Sequence, residues 1–206
     1  MALLFAVTIH EVAHGYAALK MGDNTALLAG RLTLNPLKHL DFTGSFLLPL
    51  ILKLTGSPII FGYAKPVPVN FAKLRDYRKG TLYVASAGVL ANFALAGISG
   101  MLFQFLVRME YLWHASIFKP ILVDAVNFCL FSVLINAVLA VFNLIPIPPL
   151  DGSRIMAMAL PPSLRKRYAR IEPFGMIIII FLLVSNVIGK ILNFFLTPLI
   201  NIFLGR

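Results

Sequence analysis

Four long apolar segments constrain this chain more than any other feature of its sequence. They run from Met1 to Leu19, from Leu82 to Val107, from Ile121 to Ile145 and from Phe174 to Ile200. A helix rises about 1.5 Å per residue, so about 20 apolar residues cross the hydrocarbon core of a bilayer. Hydrophobic residues make up 59% of the chain and charged residues only 13%, which excludes an ordinary soluble domain. We therefore predict an all-α polytopic membrane protein with about four transmembrane helices, forming one domain over residues 1–206.

A fifth apolar segment, Phe42–Gly62, has a short apolar core that contains Pro49 and Lys53. Helix breakers at membrane depth favour a re-entrant or interfacial element over a fifth span. If this segment does not cross, 14 of the 18 lysines and arginines lie on one side of the membrane, which marks the cytoplasmic face. We therefore expect a multi-pass protein of the cell membrane with both termini outside. The net charge of +10 then reflects the membrane face and does not indicate nucleic acid.

Two stretches between the first two spans are predicted to be strands. Gly30–Pro36 (GRLTLNP) alternates between apolar and polar residues. Tyr63–Asn70 (YAKPVPVN) is extended, and Pro66 and Pro68 confine it to the edge of a sheet. Together they predict a short β-hairpin-like element on the cytoplasmic side. Farther along, Pro161–Arg170 is predicted to be a basic surface segment near the lipid headgroups.

The first span contains ionisable groups in the sequence TIHEVAHGY, Thr8–Tyr16. Such groups are costly in hydrocarbon and by default indicate a functional site. His10 and His14 are four residues apart, so on a helix they lie on the same face and can share one Zn²⁺. Glu11 is then placed to act as a general base. The alternative is a pair of buried polar residues that form hydrogen bonds within a helix bundle.

A catalytic zinc site needs three protein ligands and one open position. The remaining histidines, His39 and His114, are in predicted loops and are expected at the surface. Asp124 begins the third span, at the opposite side of the bilayer from the end of the first. The favoured third ligand is Asp151, in FNLIPIPPLDGSR, where prolines end the helix and Gly152 permits a tight turn. An ordinary Asp-Gly turn is the alternative.

Membrane topology provides a separate test of Asp151. With four spans, the first and third helices end at the same face, so Asp151 can approach His14. With five spans, Asp151 lies at the opposite face and the three ligands cannot meet. The span count favoured by charge is therefore the one that allows a zinc site.

Two motifs of this chain resemble the signature motifs of the site-2 protease family of intramembrane zinc metalloproteases, in its short bacterial and archaeal branch. They are HEVAH in the first span and NLIPIPPLDG after the third; GRLTLNP, GYAKPVPVN and EPFG are similar to that branch as well. The resemblance implies that His10, His14 and Asp151 bind one zinc ion per chain and that Glu11 is the base. It also implies that Asn143, eight residues before the aspartate, steadies the substrate or the oxyanion. A hydrogen bond at the helix end is the alternative role for Asn143.

The sequence departs from that family at AGVLANF, Ala87–Phe93, where Val89 replaces a frequent proline. Asn92 is retained and is a candidate for substrate binding, with an interhelical hydrogen bond as the alternative. Gly62 and Tyr63 are further candidates, because an extended substrate can add to an exposed strand edge and glycine allows close backbone approach. A plain turn and a proline-protected edge are the alternatives there.

These features predict an intramembrane zinc metalloprotease that hydrolyses a peptide bond in or near a transmembrane helix of a membrane-protein substrate, as in regulated intramembrane proteolysis. Its expected partners are that substrate and the lipid bilayer, and its active site is expected near the cytoplasmic face. One alternative is a membrane zinc transporter, which needs more spans and a polar path across the membrane. Another is a non-catalytic pseudoprotease that binds membrane proteins, against which the intact Glu11 argues.

Overall fold

The computed structural model describes residues 2–55, 65–113 and 117–206. Within these residues the chain is all-helical, which confirms the predicted class. The α-helices are α1 (Ala2–Lys20), α2 (Thr25–Leu28), α3 (Leu48–Leu54), α4 (Tyr77–Arg108), α5 (Glu110–Trp113), α6 (Lys119–Asn143), α7 (Asp151–Ala159), α8 (Pro162–Ala169), α9 (Gly175–Val184) and α10 (Val187–Leu204). Short 3₁₀-helices cover Pro36–His39, Phe71–Lys73 and Glu172–Phe174, and a π-helix covers Phe42–Leu47.

Four helices in the described part of the chain are long and apolar enough to cross a membrane, as predicted. They are α1, α4, α6 and α10. The last predicted segment is nevertheless not one helix. It is interrupted between α9 and α10, where Asn186 adopts a left-handed conformation with φ of 58°. Asparagine tolerates this conformation better than most residues do, so the chain turns there and α9 remains too short to span.

Helix α4 packs antiparallel to both α1 and α6. Near its start, Val84 lies in one apolar cluster with Ala18 at the end of α1. Near its end, Phe103 lies in another cluster with Cys129 from the first half of α6. The C-terminal ends of α1 and α6 therefore lie at the same end of the bundle, as the four-span topology requires.

Helix α10 runs antiparallel to α6 and completes the bundle. Its first turn contributes Ile188 to a cluster with Ile145, just beyond the end of α6. Its last turn contributes Leu204 to the cluster at the opposite end, and Gln104 of α4 donates a hydrogen bond to the Phe203 carbonyl there, at 2.8 Å. The four long helices thus alternate in direction.

The predicted β-hairpin-like element does not form in the described residues, so that prediction was wrong. Residues 65–70 have no regular structure, and two of their backbone N–H groups donate to carboxylates instead of to a neighbouring strand. Val67 donates to Glu11 Oε2 at 2.7 Å, and Asn70 donates to Asp23 Oδ2 at 2.6 Å. The two prolines in this stretch carry no N–H at all. A strand ladder is therefore replaced by bonds to side chains.

The predicted re-entrant segment is helical over Phe42–Leu54, which is too short to span a bilayer. Several of its apolar side chains are exposed, among them Phe42, Phe46 and Leu54. Its placement in the membrane stays a prediction. Gly62, Tyr63 and His114 lie outside the described residues.

Asp23 anchors the 65–70 segment beside α1. Its carboxylate is fully buried and accepts hydrogen bonds from the backbone N–H of Asn70 and from both the N–H and the hydroxyl of Thr25. Burial raises the pKa of this carboxyl, but the bonds from Thr25 and Asn70 outweigh burial and lower the pKa below its usual value. The ionised form therefore stabilises the fold.

We expect Asp23→Asn to lower the free energy of unfolding by about 1–3 kcal/mol, because the amide NH₂ group then faces a backbone N–H. The pH dependence has a definite sign, because the folded pKa lies below the unfolded value of about 3.9. The carboxylate's contribution is complete above that value and is lost as the pH falls through the folded pKa. Thermal unfolding in detergent measures both effects. Asp76→Asn is the control, since Asp76 caps α4 and asparagine caps helices equally well.

Candidate active site

Three ligand atoms converge near the C-terminal ends of α1 and α6, which lie at the same end of the bundle. Asp151 Oδ2 lies 3.2 Å from His10 Nε2 and 3.1 Å from His14 Nε2. The two Nε2 atoms are 3.0 Å apart. The i, i+4 spacing on α1 brings the imidazoles together, and the antiparallel packing of the bundle brings the aspartate to them.

The second nitrogen of each imidazole has a hydrogen-bond partner from α4. His14 Nδ1 donates to the Val84 backbone carbonyl at 2.7 Å. His10 Nδ1 lies 2.5 Å from Asn92 Oδ1. Because a carbonyl oxygen only accepts, Nδ1 carries the proton in both rings, and in the neutral imidazole Nε2 is then the atom with the lone pair. Both lone pairs point at the Asp151 carboxylate.

This arrangement fits a zinc ion. Three electron-rich atoms at 3.0–3.2 Å repel one another unless a cation lies among them. In a tetrahedral zinc site with bonds of about 2.0–2.1 Å, ligand atoms lie about 3.3 Å apart, close to these separations. Asp151 Oδ2 is buried without a conventional hydrogen-bond partner in the described structure. His10, His14 and Asp151 are therefore able to hold one metal ion.

Asp151 is positioned by a close backbone contact at Gly152. It is the first residue of α7, and Leu150 before it is extended. A Cβ on Gly152 would lie 2.2 Å from the Leu144 carbonyl oxygen, so only glycine lets α7 pack against the end of α6. Gly152 has no left-handed conformation, and the chain turns into α7 with the Ser153 N–H donating to the Leu150 carbonyl at 3.0 Å. The small size of Gly152, and not its flexibility, directs Asp151 towards the histidines.

The Asp151 carboxyl is ionised in this environment. Burial alone would raise its pKa, but in the metal-free site protonated His10 and His14 donate to the carboxylate and attract it, which outweighs burial and lowers the pKa to about 2. A carboxylate must be deprotonated to bind a metal, so the site presents the binding form at neutral pH.

Gly88 provides the space that the two imidazoles occupy. A Cβ at this position would lie 2.5 Å from His14 Nε2 and 2.6 Å from His10 Cε1. Helix α4 continues without a break through Val89, which is buried. The close approach of α4 to α1 is thus made at Gly88.

We expect Gly88→Ala to weaken zinc affinity by about tenfold or more, because the added methyl group displaces both ligating rings. Chelator competition on the purified protein measures this affinity. Gly97→Ala on the same helix is the matched control, since its Cβ would meet only Phe203 Cε1 at 3.7 Å. Equal affinities in the two variants would contradict the expectation.

Glu11 follows the first histidine and is held by the 65–70 segment. Its Oε2 accepts the Val67 N–H at 2.7 Å, and Val67 itself is buried. Glu11 is only partly buried. Sequence reasoning did not find Val67, because the contact joins positions far apart in the chain.

The other predicted residues are distributed as follows. Asn143 is the last residue of α6, and its Nδ2 donates to the Leu139 carbonyl at 2.9 Å, which is the helix-end bond considered as its alternative. Asn92 is fully buried behind His10, so it forms interhelical hydrogen bonds and does not face a surface for substrate. His39 was predicted at the surface but is buried, and its Nε2 donates to the Thr33 carbonyl.

Two residues of α4 and α6 that sequence analysis missed also contribute. The Val84 carbonyl orients His14, and Asn136 bonds to Asn92. A backbone carbonyl leaves no signal in a sequence. Asn136 did have one, because a polar residue in an apolar span is costly and by default functional.

Comparison with known proteins identifies the family. The sequence matches peptidase family M50, the site-2 protease family, over residues 1–186. It is 35% identical to YwhC of Bacillus subtilis over 97% of this chain and 84% of that protein. It is 28% identical to Rip2 of Mycolicibacterium smegmatis, over 91% of this chain and 66% of Rip2. It is also 28% identical to Rip2 of Mycobacterium tuberculosis, over 88% and 64%.

These relatives are named as zinc metalloproteases, and the chain spans about two thirds of the length of the Rip2 proteins. No solved structure matches the chain. The family match covers most of the chain, and the zinc-ligand geometry agrees with it. The chain therefore belongs to peptidase family M50 and is a zinc metallopeptidase.

Proposed function

We propose that this metallopeptidase is an intramembrane protease that hydrolyses a peptide bond in or near a transmembrane helix of a membrane-protein substrate. The observation that carries this proposal is the convergence of His10, His14 and Asp151 at about 3 Å among helices that are apolar enough to span a bilayer. A soluble metallopeptidase does not need such helices around its ligands. Regulated intramembrane proteolysis is the corresponding biological role.

The chemistry follows from the donor set and from the adjacent carboxylate. When bound, zinc lowers the pKa of a water molecule to about 7 and polarises a carbonyl. Glu11 accepts the proton of the attacking water and later delivers it to the leaving nitrogen. The Val67 N–H keeps one oxygen of Glu11 in place, which leaves the other oxygen for proton transfer.

Asn143 is proposed to stabilise the oxyanion of the scissile carbonyl. An amide nitrogen carries two hydrogens, and the bond to Leu139 uses one of them. The second hydrogen is left for the developing negative charge, where a preorganised donor contributes most. Asn143 lies at the end of α6, eight residues before Asp151.

The site is proposed to lie near the cytoplasmic face of the cell membrane. Helix α1 ends at Lys20, so at 1.5 Å per residue His14 lies about 9 Å from the helix end. The loops at this end of the bundle carry 14 of the 18 lysines and arginines, as cytoplasmic loops do. At such a depth water enters from the cytoplasm, and a substrate helix has to unwind only near its end.

The stretch that leads into the 65–70 segment is proposed to contact substrate. Gly62 and Tyr63 lie in the sequence shortly before Val67, whose N–H donates to Glu11. An unwound substrate is extended, and glycine allows its backbone to approach closely. Gly62 and Tyr63 remain our candidates for substrate binding.

The proposed function is tested by comparing new N-termini in the membrane proteins of bacteria that express the wild type or the Glu11→Gln variant. Mass spectrometry of enriched N-terminal peptides should show cleavages within or beside transmembrane segments with the wild type only. Equal sets of N-termini in the two strains would show that Glu11 performs no such hydrolysis. Cleavages confined to soluble loops would exclude an intramembrane protease.

A further inference from the structure

A chain of hydrogen bonds leads from the metal site into the apolar interior of the bundle. His10 Nδ1 lies 2.5 Å from Asn92 Oδ1. Asn92 Nδ2 donates to Asn136 Oδ1 at 2.8 Å. Asn136 Nδ2 donates to the Ser132 backbone carbonyl at 2.9 Å. Asn92 is 0% exposed and Asn136 is 1% exposed, so water does not replace these partners.

The direction of these bonds is determined at the end farthest from the metal. The Ser132 carbonyl oxygen only accepts, so the side-chain NH₂ group of Asn136 must face it. Asn136 then presents its carbonyl oxygen to Asn92, which must donate in turn. Asn92 therefore presents its own oxygen to His10, and this oxygen accepts only an Nδ1–H. Each step follows from the one before it.

The two histidines are consequently oriented by different means. His14 donates to the Val84 backbone carbonyl, which no side-chain substitution removes. His10 depends on a side-chain amide, and an amide can rotate by 180° and exchange its oxygen for its NH₂ group. Among the described residues, the hydrogen bond to Asn136 Oδ1 is the one that opposes this rotation of Asn92. The tautomer of His14 is therefore determined by a backbone acceptor, whereas the tautomer of His10 depends on the orientation of the Asn92 amide.

Packing alone does not require asparagine at these two positions. Both side chains are buried where α4 and α6 pack together, and a leucine would fill a similar volume. Asparagine in the interior of a membrane helix is costly unless every polar group has a partner. In metal sites, groups that bond the second nitrogen of a ligating histidine typically change metal affinity 10- to 100-fold. The presence of two asparagines here despite this cost is consistent with a role at the metal site.

We infer that Asn136 is a positioning residue that acts through Asn92 to hold the His10 imidazole in the Nδ1–H tautomer, with its Nε2 lone pair directed at the metal. Asn136 itself touches neither the metal ligands' Nε2 atoms nor Asp151 in the hydrogen bonds described, so its effect on zinc is indirect. The inference deepens the proposed function, because it rests on the same zinc site.

The test measures zinc affinity in three variants of the purified full chain by chelator competition. Asn136→Leu removes the acceptor for Asn92, and we expect it to weaken zinc affinity about 10- to 100-fold. Asn136→Asp retains an acceptor of the same shape, and its protonated form also donates to the Ser132 carbonyl, so affinity should stay within about threefold of wild type. Asn127→Leu is the matched control, since Asn127 is an exposed asparagine on the same helix and its replacement should leave affinity unchanged.

A second measurement separates positioning from packing. With Co²⁺ in place of zinc, the visible absorption bands report the ligand geometry, and we expect them to change in Asn136→Leu but not in Asn127→Leu. Thermal unfolding is recorded for every variant. If Asn136→Leu does not fold, Asn136→Ala takes its place, because it also removes the acceptor.

The possible outcomes distinguish this inference from the proposed function. Wild-type zinc affinity and an unchanged Co²⁺ spectrum in Asn136→Leu, together with loss of zinc in His10→Ala, would overturn the role of Asn136 and leave the zinc site intact. Retention of zinc by His10→Ala would overturn both the role of Asn136 and the zinc site on which the proposed function rests. Weakened affinity in Asn136→Leu with recovery in Asn136→Asp would establish the positioning role.

Discussion

An Asp151→Ala variant is expected to lose both its zinc ion and its peptidase activity. The substitution removes one of three ligand atoms that lie within about 3.2 Å of one another, and two imidazoles from one helix remain. Zinc sites with catalytic function use three protein ligands, so we expect the metal content to fall from about one ion per chain to less than about a tenth. Atomic emission on detergent-purified protein measures this content directly.

Asp124→Ala is the matched control for Asp151→Ala. Asp124 is an exposed aspartate near the start of α6, at the opposite end of the bundle from the site. The Asp124→Ala variant should keep its zinc and its activity. If zinc remains in Asp151→Ala, then the third ligand has been misidentified and the site geometry does not hold the metal.

Glu11→Gln is expected to abolish hydrolysis while zinc stays bound. Glutamine has nearly the same shape as glutamate and still accepts the Val67 N–H, so the 65–70 segment should keep its position. It cannot take a proton from water, and removal of a general base costs about 10²- to 10⁴-fold in rate. Zinc content and the rate of substrate cleavage, measured on the same preparation, check both halves of this expectation.

Glu172→Gln provides the control for Glu11→Gln, because Glu172 is an exposed glutamate in the 3₁₀-helix before α9. Its cleavage rate should match the wild type. Undiminished cleavage by Glu11→Gln would transfer the role of base to another residue. Unchanged biological function without any cleavage would instead favour transport or scaffolding.

Together these two variants separate metal binding from proton transfer. Asp151→Ala should lose both properties, and Glu11→Gln should lose only the second. A zinc-binding pseudoprotease would lose zinc in the first variant and show no difference between wild type and the second. The pair therefore also decides between the protease and the non-catalytic alternative.

Local features of the sequence were sufficient for much of the fold and for the identity of the candidate ligands. Apolar runs of about 20 residues predicted the four long helices. The bilayer thickness sets the length of a span, and the rise per residue of a helix converts that length into a number of residues. The four-residue spacing of His10 and His14 predicted their common face for the same reason. Asp151 followed from topology, since the end of α6 had to lie beside the end of α1.

Predictions that depended on backbone partners were less successful. The alternation of GRLTLNP and the prolines of YAKPVPVN suggested strands, but in the described residues Val67 and Asn70 donate to the carboxylates of Glu11 and Asp23. A strand requires a neighbouring strand with unsatisfied backbone groups, and nothing in the local sequence states which partner those groups will find. The break at Asn186 likewise depends on how α9 and α10 pack around Ile145.

The sequence alone therefore determined that the chain forms apolar helices and that two histidines, a glutamate and an aspartate are available for zinc chemistry. Only the tertiary structure decided how those groups are oriented. Gly88 makes room for the imidazoles, the Val84 carbonyl orients His14, and Asn136 acts on His10 through Asn92. These contacts join residues 44 to 82 positions apart, and they arise from the packing of α1, α4 and α6 rather than from any local pattern.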